Sequence, residues 1–121
     1  MVNKMTKIYM SNVEGKPNHR ALTKPLICEH WDGSIKYIPE GFEWDGSSVP
    51  VVFQGLFPRF RHPVASCHHD WNCKNAKNKA ERAWADKQFE KDVGKTSWYL
   101  TKKMGYLGVR VGALLGIGNR F

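Results

Sequence analysis

The sequence predicts an α+β fold because its two halves differ in pattern. The first half contains a strand–turn–strand signal, and the second half contains three stretches with helical spacing of apolar residues. A chain of 121 residues can bury a core without disulfide or metal staples. We therefore expect a single domain, with a strand-rich part and loop over residues 1–50 and a helical part over residues 63–116.

A β-hairpin is predicted within the first half. Residues 26–31 and 34–38 are rich in aliphatic and aromatic side chains. They flank Asp32-Gly33, a pair that accepts the positive φ of a tight hairpin turn. These residues should form a small antiparallel sheet.

The remaining segments of the first half carry weaker signals. Residues 7–11 predict a short strand, whereas residues 13–25 contain Gly15, Pro17 and Pro25 and predict a loop. Residues 39–50 are rich in turn formers and small side chains, which allow a backbone to approach another group closely. A plain loop is the alternative interpretation of that last segment.

The first helix is predicted to begin at Pro63. Proline suits the first helical position because the missing N–H would be unpaired there. Val64, Cys67 and Trp71 form one apolar face, which should be buried. His69 lies about 160° from Trp71 around the helix and can face a cleft. Its own face also holds small and polar residues: Ala65, Ser66, Asn72 and Cys73.

The second helix is predicted over residues 79–93. Asn78 followed by Glu81 resembles a capping box, and Gly94 supplies a left-handed stop. Asp86 lies beside an apolar stripe and needs a partner. Arg82, four residues earlier on the same face, is one candidate, and the imidazole of His69 is the other. The spacing does not choose between them.

The third helix is predicted from Ser97 to Leu115. Gly108, Gly112 and Gly116 recur every four residues, so one face is smooth enough for close packing inside the domain or against a neighbouring subunit. The apolar stretch over residues 104–117 is interrupted by an arginine and is shorter than the roughly 20 residues that span a bilayer. We therefore expect no transmembrane segment.

Charge and cysteine content limit the cellular setting only broadly. A net charge of +8 favours nucleic acid, an acidic protein partner or an anionic membrane surface, and it does not choose among them. Three cysteines predict reduced thiols, and residues 1–9 lack the apolar run of a signal peptide. We expect synthesis in a cytoplasm.

Three kinds of chemistry are open to the stretch around His69. His69 could act as a general base oriented by Asp86, while Asp70 helps to hold a hard cation such as Ca²⁺ and water attacks an ester. Zinc could instead bind Cys67, His68 or His69, and Cys73, although that spacing is unusual.

The third chemistry is that of an HD-type phosphohydrolase. It would recruit His62 and either Asp86 or Asp92, but a strand-rich first half does not fit that all-helical class. Against all three stands a purely structural role, in which His68 and His69 cap and pack the helix.

Four blocks of the sequence carry a family resemblance. They are residues 38–50, Ala65 with residues 69–71, residues 85–89, and residues 104–106 with Val109, Arg110 and Gly112. In order and spacing they resemble the family catalogued as domain of unknown function 1353. That family is encoded mostly in tailed phages and prophages, so the resemblance implies a phage protein made in a host bacterial cytoplasm and carried in the virion.

A second likeness concerns mechanism. The predicted helix pair resembles the catalytic helices of bacterial and parvoviral phospholipases A2, which implies that His69 activates water, Asp70 binds calcium and Asp86 orients His69. Asp45, with Gly46 and Ser48, would replace the usual calcium loop. Cys73 stands where those enzymes carry an aromatic residue, and their glycine-rich loop and disulfides are missing.

Two functions follow from these expectations. We favour a virion-associated tail, baseplate or neck component that contacts other phage structural proteins and keeps a phospholipase-like His–Asp pair. The alternative is a small calcium-dependent esterase used in host entry or lysis. The catalytic candidates are His69 and Asp86, the metal candidates are Asp70 and Asp45, and the supporting candidates are Gly46, Ser48, His68 and Arg82.

Overall fold

The strands precede the helices along the chain, as the sequence predicts. The computed structural model describes residues 7–45, 63–94 and 99–117. The elements are β1 Met10–Val13, β2 Lys16–Leu22, β3 Leu26–Glu29, β4 Ile35–Ile38, β5 Glu43–Trp44, α1 Pro63–Asn75, α2 Lys79–Gly94 and α3 Tyr99–Leu114. The α+β class is confirmed. None of the helices in these described ranges is long and apolar enough to cross a membrane.

The strands form two antiparallel sheets. One sheet has the order β1-β2-β5, and the other consists of β3 and β4. The prediction of a loop over residues 13–25 is wrong, because β2 occupies most of it and pairs with strands on both sides. Gly15, with φ of 77°, makes the turn into β2, and Pro17 lies near the strand start beside a register shift, where proline is tolerated.

The predicted β3–β4 hairpin is confirmed, but its turn is longer than expected. Glu29 pairs with Ile35, and the His30 N–H donates to the Ser34 carbonyl. The Gly33 N–H donates to the His30 carbonyl, and Gly33 has φ of 88°. This is a three-residue connection with glycine in the left-handed position rather than a two-residue turn.

The two faces of this hairpin differ sharply in exposure. Leu26, Cys28 and Ile38 are buried in the core. The opposite face, which we call the hairpin face, consists of Ile27, Ile35 and Tyr37, which are 57%, 64% and 59% exposed. Because Ile27 pairs directly with Tyr37, the exposed apolar side chains are contiguous.

The start of α2 follows the capping rule that the sequence predicts, but the prediction of a left-handed stop at Gly94 is wrong. Gly94 is the last helical residue and is not among the described glycines with positive φ. Asn78 Oδ1 accepts from the Glu81 N–H, and Glu81 Oε1 accepts from the Lys77 N–H. Two backbone N–H groups at the start of the helix therefore have acceptors. After α3, Gly116 adopts φ of 76°, and the Ile117 N–H donates to the Gly112 carbonyl. The predicted start of the third helix at Ser97 lies outside the described residues.

Helix α1 lies between two apolar clusters. Its predicted face is confirmed, because Cys67 is buried among the sheet residues, with Val64 and Trp71 packed against them. That cluster also holds Leu22, Leu26, Cys28, Ile38, Phe42 and Trp44. The opposite side of α1 contributes Ala65 to a smaller cluster with Phe89, Val93 and Val109 from α2 and α3. Residues on both sides of α1 therefore face protein.

The left-handed turn at Gly33 generates a stability prediction. A Cβ added there would meet no atom within 4 Å, so any cost of substitution is conformational. We expect Gly33→Ala to lower the free energy of unfolding by about 1 kcal/mol. Gly33→Asn should cost clearly less, because asparagine visits the left-handed region more readily. Urea denaturation of both variants measures this, and equal losses would contradict it.

Candidate functional site

Two consecutive histidines of α1 contact two different aspartates of α2. His69 Nε2 lies 2.6 Å from Asp86 Oδ1, and His68 Nδ1 lies 2.7 Å from Asp92 Oδ2. Neighbouring residues on a helix point about 100° apart, so each histidine enters its own network. The predicted proximity of His69 and Asp86 is confirmed.

Asp86 lies at the centre of the first network, which we call the Asp86 network: Asp86, His69, Arg82 and Arg110. The Arg82 Nε–H donates to Asp86 Oδ1 at 2.9 Å, and Arg110 Nη1 donates to Oδ2 at 2.8 Å. Both partners that the sequence offered to Asp86 are therefore used, and Arg110 is an additional one. The carboxylate is 0% exposed and receives donors from α1, α2 and α3.

All three side-chain nitrogens of Arg82 donate hydrogen bonds. Its Nη2 donates to the Val109 carbonyl and its Nη1 to the Ile117 carbonyl, both on or just after α3. Burial would raise the pKa of Asp86, but the hydrogen bond and charge of His69 and the charge of Arg82 hold it below its usual value. The carboxylate is thus ionised and paired near neutral pH.

His69 is 2% exposed and does not face an open cleft, contrary to the expectation for its helix face. Burial opposes its charged form, but the Cys73 sulfur, the Asp70 carboxylate 3.9 Å away and the hydrogen bond to Asp86 outweigh burial and raise its pKa well above 6.5. A histidine that already holds its proton can donate hydrogen bonds to carboxylates. It is a poor general base at neutral pH.

The structure describes only two of the remaining predicted site residues, Asp70 and Asp45. Asp70 is partly buried, and its Oδ1 lies 3.9 Å from His69 Nδ1. Asp45 directly follows β5 and is half-buried. Gly46 and Ser48 lie outside the described residues. A calcium-binding role for Asp70 and Asp45 stays a prediction.

One group of residues has the donor types of a transition-metal site. The ligand atoms of His69, Cys73 and Asp86 lie within 4.8 Å of one another. However, both oxygens of Asp86 already accept from guanidinium groups, and two cations beside the carboxylate disfavour a dication there. The alternative zinc set is not assembled, because Cys67 is buried in the sheet cluster and burial raises the pKa of its thiol.

The second network contains a residue that sequence reasoning missed. His30 Nε2 lies 2.8 Å from His68 Nε2, and His30 Nδ1 lies 3.1 Å from Ser34 Oγ. At the other end, Gln88 Nε2 donates to Asp92 Oδ1. His30 is separated from His68 by 38 residues and lies near the end of the first predicted hairpin strand, so no local spacing could have joined them. The only sequence signal is a histidine beside Trp31 just before the predicted turn.

An open pocket of about 220 Å³ borders this second network. Its walls are His30, Lys36, Asn72, Asn75, Ala76, Glu81 and Trp84. Trp84 meets the His30 ring edge-on, with ring centroids 4.5 Å apart. Burial, with the nearby His68 ring and Lys36, lowers the pKa of His30 to about 4. This histidine is therefore neutral near pH 7.

Comparison with known proteins yields one match. The family described as "Protein of unknown function (DUF1353)" matches residues 20–109. That range includes the hairpin, both histidine–aspartate pairs and Arg82. No curated protein and no solved structure matches the chain. Since the matched range covers well over half of the sequence, the chain belongs to the DUF1353 family.

Proposed function

We propose that this protein is a structural, virion-associated component of a tailed phage, made in the host cytoplasm, and that its His69–Asp86 pair is a buried tie between helices. The observation that supports this is the saturation of Asp86. Asp86 is fully buried, and its two oxygens accept hydrogen bonds from His69, Arg82 and Arg110. The carboxylate therefore cannot change its hydrogen-bond partners during a reaction. The phage setting is what the family resemblance implies.

The burial and the protonation state of His69 also support a structural role. A catalytic base must be neutral and must reach a water molecule. His69 is buried, and its raised pKa keeps it protonated near neutral pH. The geometry suits a donor in an ion-pair network better than a base.

Other charged groups of α2 add ties of the same kind. Glu90 is 2% exposed and accepts from Lys87 at 2.6 Å and from Lys103 of α3 at 2.8 Å. Burial would raise the pKa of Glu90, but these two lysines lower it. Asp92 binds His68 of α1. Charges on α2 therefore reach both neighbouring helices, which is an arrangement that holds a scaffold.

The hairpin face supports a role in assembly. A contiguous exposed group of Ile27, Ile35 and Tyr37 is unusual on a protein that works alone. Lys91 lies over the Trp31 ring at 5.6 Å beside the same hairpin, and the chain carries a net charge of +8. Two copies of such a basic protein repel each other, so the partner of this face is an acidic phage protein.

A calcium-dependent esterase remains the second candidate, because one observation favours it. The 2.6 Å contact between His69 and Asp86, with Asp70 adjacent, is the arrangement that the phospholipase resemblance requires. In that case His69 Nδ1 would face the attacking water, and Asp70 would hold the cation. The two candidate functions differ in the effect of a substitution at His69, which would remove activity from an esterase and stability from a structural protein.

Substitution at His69 separates these two functions. We expect no fatty acid release from anionic vesicles in millimolar calcium, and we expect His69→Gln to lower the free energy of unfolding by about 1–3 kcal/mol. Asp86→Asn should cost at least as much, because it leaves the buried guanidinium of Arg82 and the partly exposed one of Arg110 poorly paired.

The matched control is Glu43→Gln. Glu43 also contacts two basic groups, Lys16 and His19, but it is exposed, so the loss should stay below about 1 kcal/mol. Lipid hydrolysis that needs both calcium and His69 would overturn the structural proposal.

The pKa of His69 predicts a pH dependence of stability. A folded-state pKa above the unfolded value of 6.5 adds stability that is fully present below pH 6.5. That contribution is lost as the pH rises through the folded pKa. The difference in unfolding free energy between wild type and His69→Gln should therefore shrink above about pH 6.5. Denaturant titrations across this range measure it, and a difference that grows with pH would contradict the assignment.

The hairpin face predicts an assembly defect without a folding defect. The double variant Ile27→Ser, Tyr37→Ser should keep the wild-type melting temperature, because both side chains are exposed. It should fail to enter phage particles when it replaces the wild-type protein during an infection. Leu114→Ser, at an exposed leucine on α3, is the control and should be incorporated normally. Normal incorporation of the double variant would exclude this face as the contact.

A further inference from the structure

The facing nitrogens of His30 and His68 form the most unusual contact outside the Asp86 network. Their Nε2 atoms are 2.8 Å apart, the rings are within 8° of parallel, and both side chains are buried. At this distance one of the two nitrogens carries a proton that the other accepts, and a metal ion that binds both nitrogens takes the place of that proton.

On the His68 side, the proton is held at the far nitrogen. Asp92 Oδ2 lies 2.7 Å from His68 Nδ1, and the other oxygen of Asp92 accepts from Gln88 Nε2. Because the carboxylate only accepts in this arrangement, His68 Nδ1 is the donor. Neutral His68 therefore presents a lone pair at Nε2.

The same logic applies on the His30 side. The Ser34 hydroxyl donates to Asp32 Oδ1 at 2.7 Å, so its oxygen is free to accept from His30 Nδ1 at 3.1 Å. Neutral His30 with its proton at Nδ1 also presents a lone pair at Nε2. Two lone pairs then converge on one point, and each ring is oriented by an acceptor at its other nitrogen. This is the usual arrangement around metal-bound histidines.

We propose that His30 and His68 are the two protein ligands of a site for a transition-metal dication such as Zn²⁺. Imidazole nitrogens suit zinc, cobalt, nickel and copper rather than calcium. Two Zn–N bonds of about 2.0–2.1 Å at a tetrahedral angle place the nitrogens roughly 3.3 Å apart. Metal entry therefore requires the two rings to separate by only about 0.5 Å.

The adjoining pocket provides the remaining coordination positions. His30 and Asn72 both line this open space of about 220 Å³, whereas His68 does not, so the pocket reaches the site from the His30 side. The side-chain amide nitrogen of Asn72 is buried and has no acceptor among the residues that the structure describes. Water or a small anion in the pocket completes the coordination. The site is thus an open one, distinct from the Asp86 network.

The experiment is a titration of the purified protein with Co²⁺, a spectroscopically visible substitute for Zn²⁺, followed by competition with Zn²⁺. We expect one equivalent to bind with visible absorption bands of a nitrogen-ligated ion, and bound metal should raise the melting temperature. His30→Asn and His68→Asn should abolish both effects. Asp92→Asn should weaken binding about 10–100-fold, because it removes the acceptor that orients His68.

Two control variants keep the result interpretable. His19→Asn removes a histidine outside the site and should bind normally. Cys73→Ser removes the sulfur of the His69–Cys73–Asp86 group and should also bind normally. Circular dichroism identifies any variant that fails to fold. Ser34→Ala, at an exposed residue, should weaken binding without loss of the fold, because it removes the acceptor of His30 Nδ1. No stoichiometric binding, or binding that Cys73→Ser abolishes and His30→Asn preserves, would overturn the proposal.

Discussion

A buried negative charge on Asp86 is the constraint on which the arrangement of the helices depends. A carboxylate removed from water must be fully compensated, and here the three compensating groups come from three different helices. Buried ion pairs of this kind add little net stability compared with apolar packing. Their effect is positional, since any relative shift of the helices leaves a charge without its partner.

Helix α2 buries an unusually large number of polar and charged side chains, and their contacts also fix the positions of neighbouring elements. Its buried residues include Arg82, Asp86, Gln88, Glu90 and Asp92, whereas the apolar cluster between the helices holds only four described residues. Each buried charge of α2 contacts a neighbouring helix or the hairpin turn. The helical part is therefore held in register by directional contacts, while the sheet side has the larger apolar core. A charge that maintains the fold in this way is poorly suited to change during a reaction.

Local signals allowed much of the fold to be predicted. The hairpin, the Pro63 start and the Asn78–Glu81 cap each depend on residues a few positions apart, and the structure contains all three. Strand β2 was missed because its stability comes from pairing with two other strands, which outweighs the turn-forming tendency of Gly15 and Pro17.

In the candidate site, too, contacts between residues close in sequence could be predicted, whereas contacts between distant residues could not. Periodicity offered both Arg82 and His69 as partners of Asp86, the resemblance to the phospholipase helix pair favoured His69, and the structure contains both contacts. Arg110 and His30 reach their partners across 24 and 38 residues, and no periodicity encodes such contacts. The tautomer of His68, and hence the direction of its lone pair, depends on Asp92 and becomes visible only in three dimensions.

The reach of Arg82 to the Ile117 carbonyl has a consequence for the C-terminal end of α3. Leu114 and Leu115 are exposed, so this end looks dispensable by burial alone. However, the carbonyl just beyond it is an acceptor for a guanidinium in the interior. A protease that cleaves after Leu114 would remove that acceptor and weaken the hold of α3 on α2, although none of residues 115–117 belongs to the two apolar clusters.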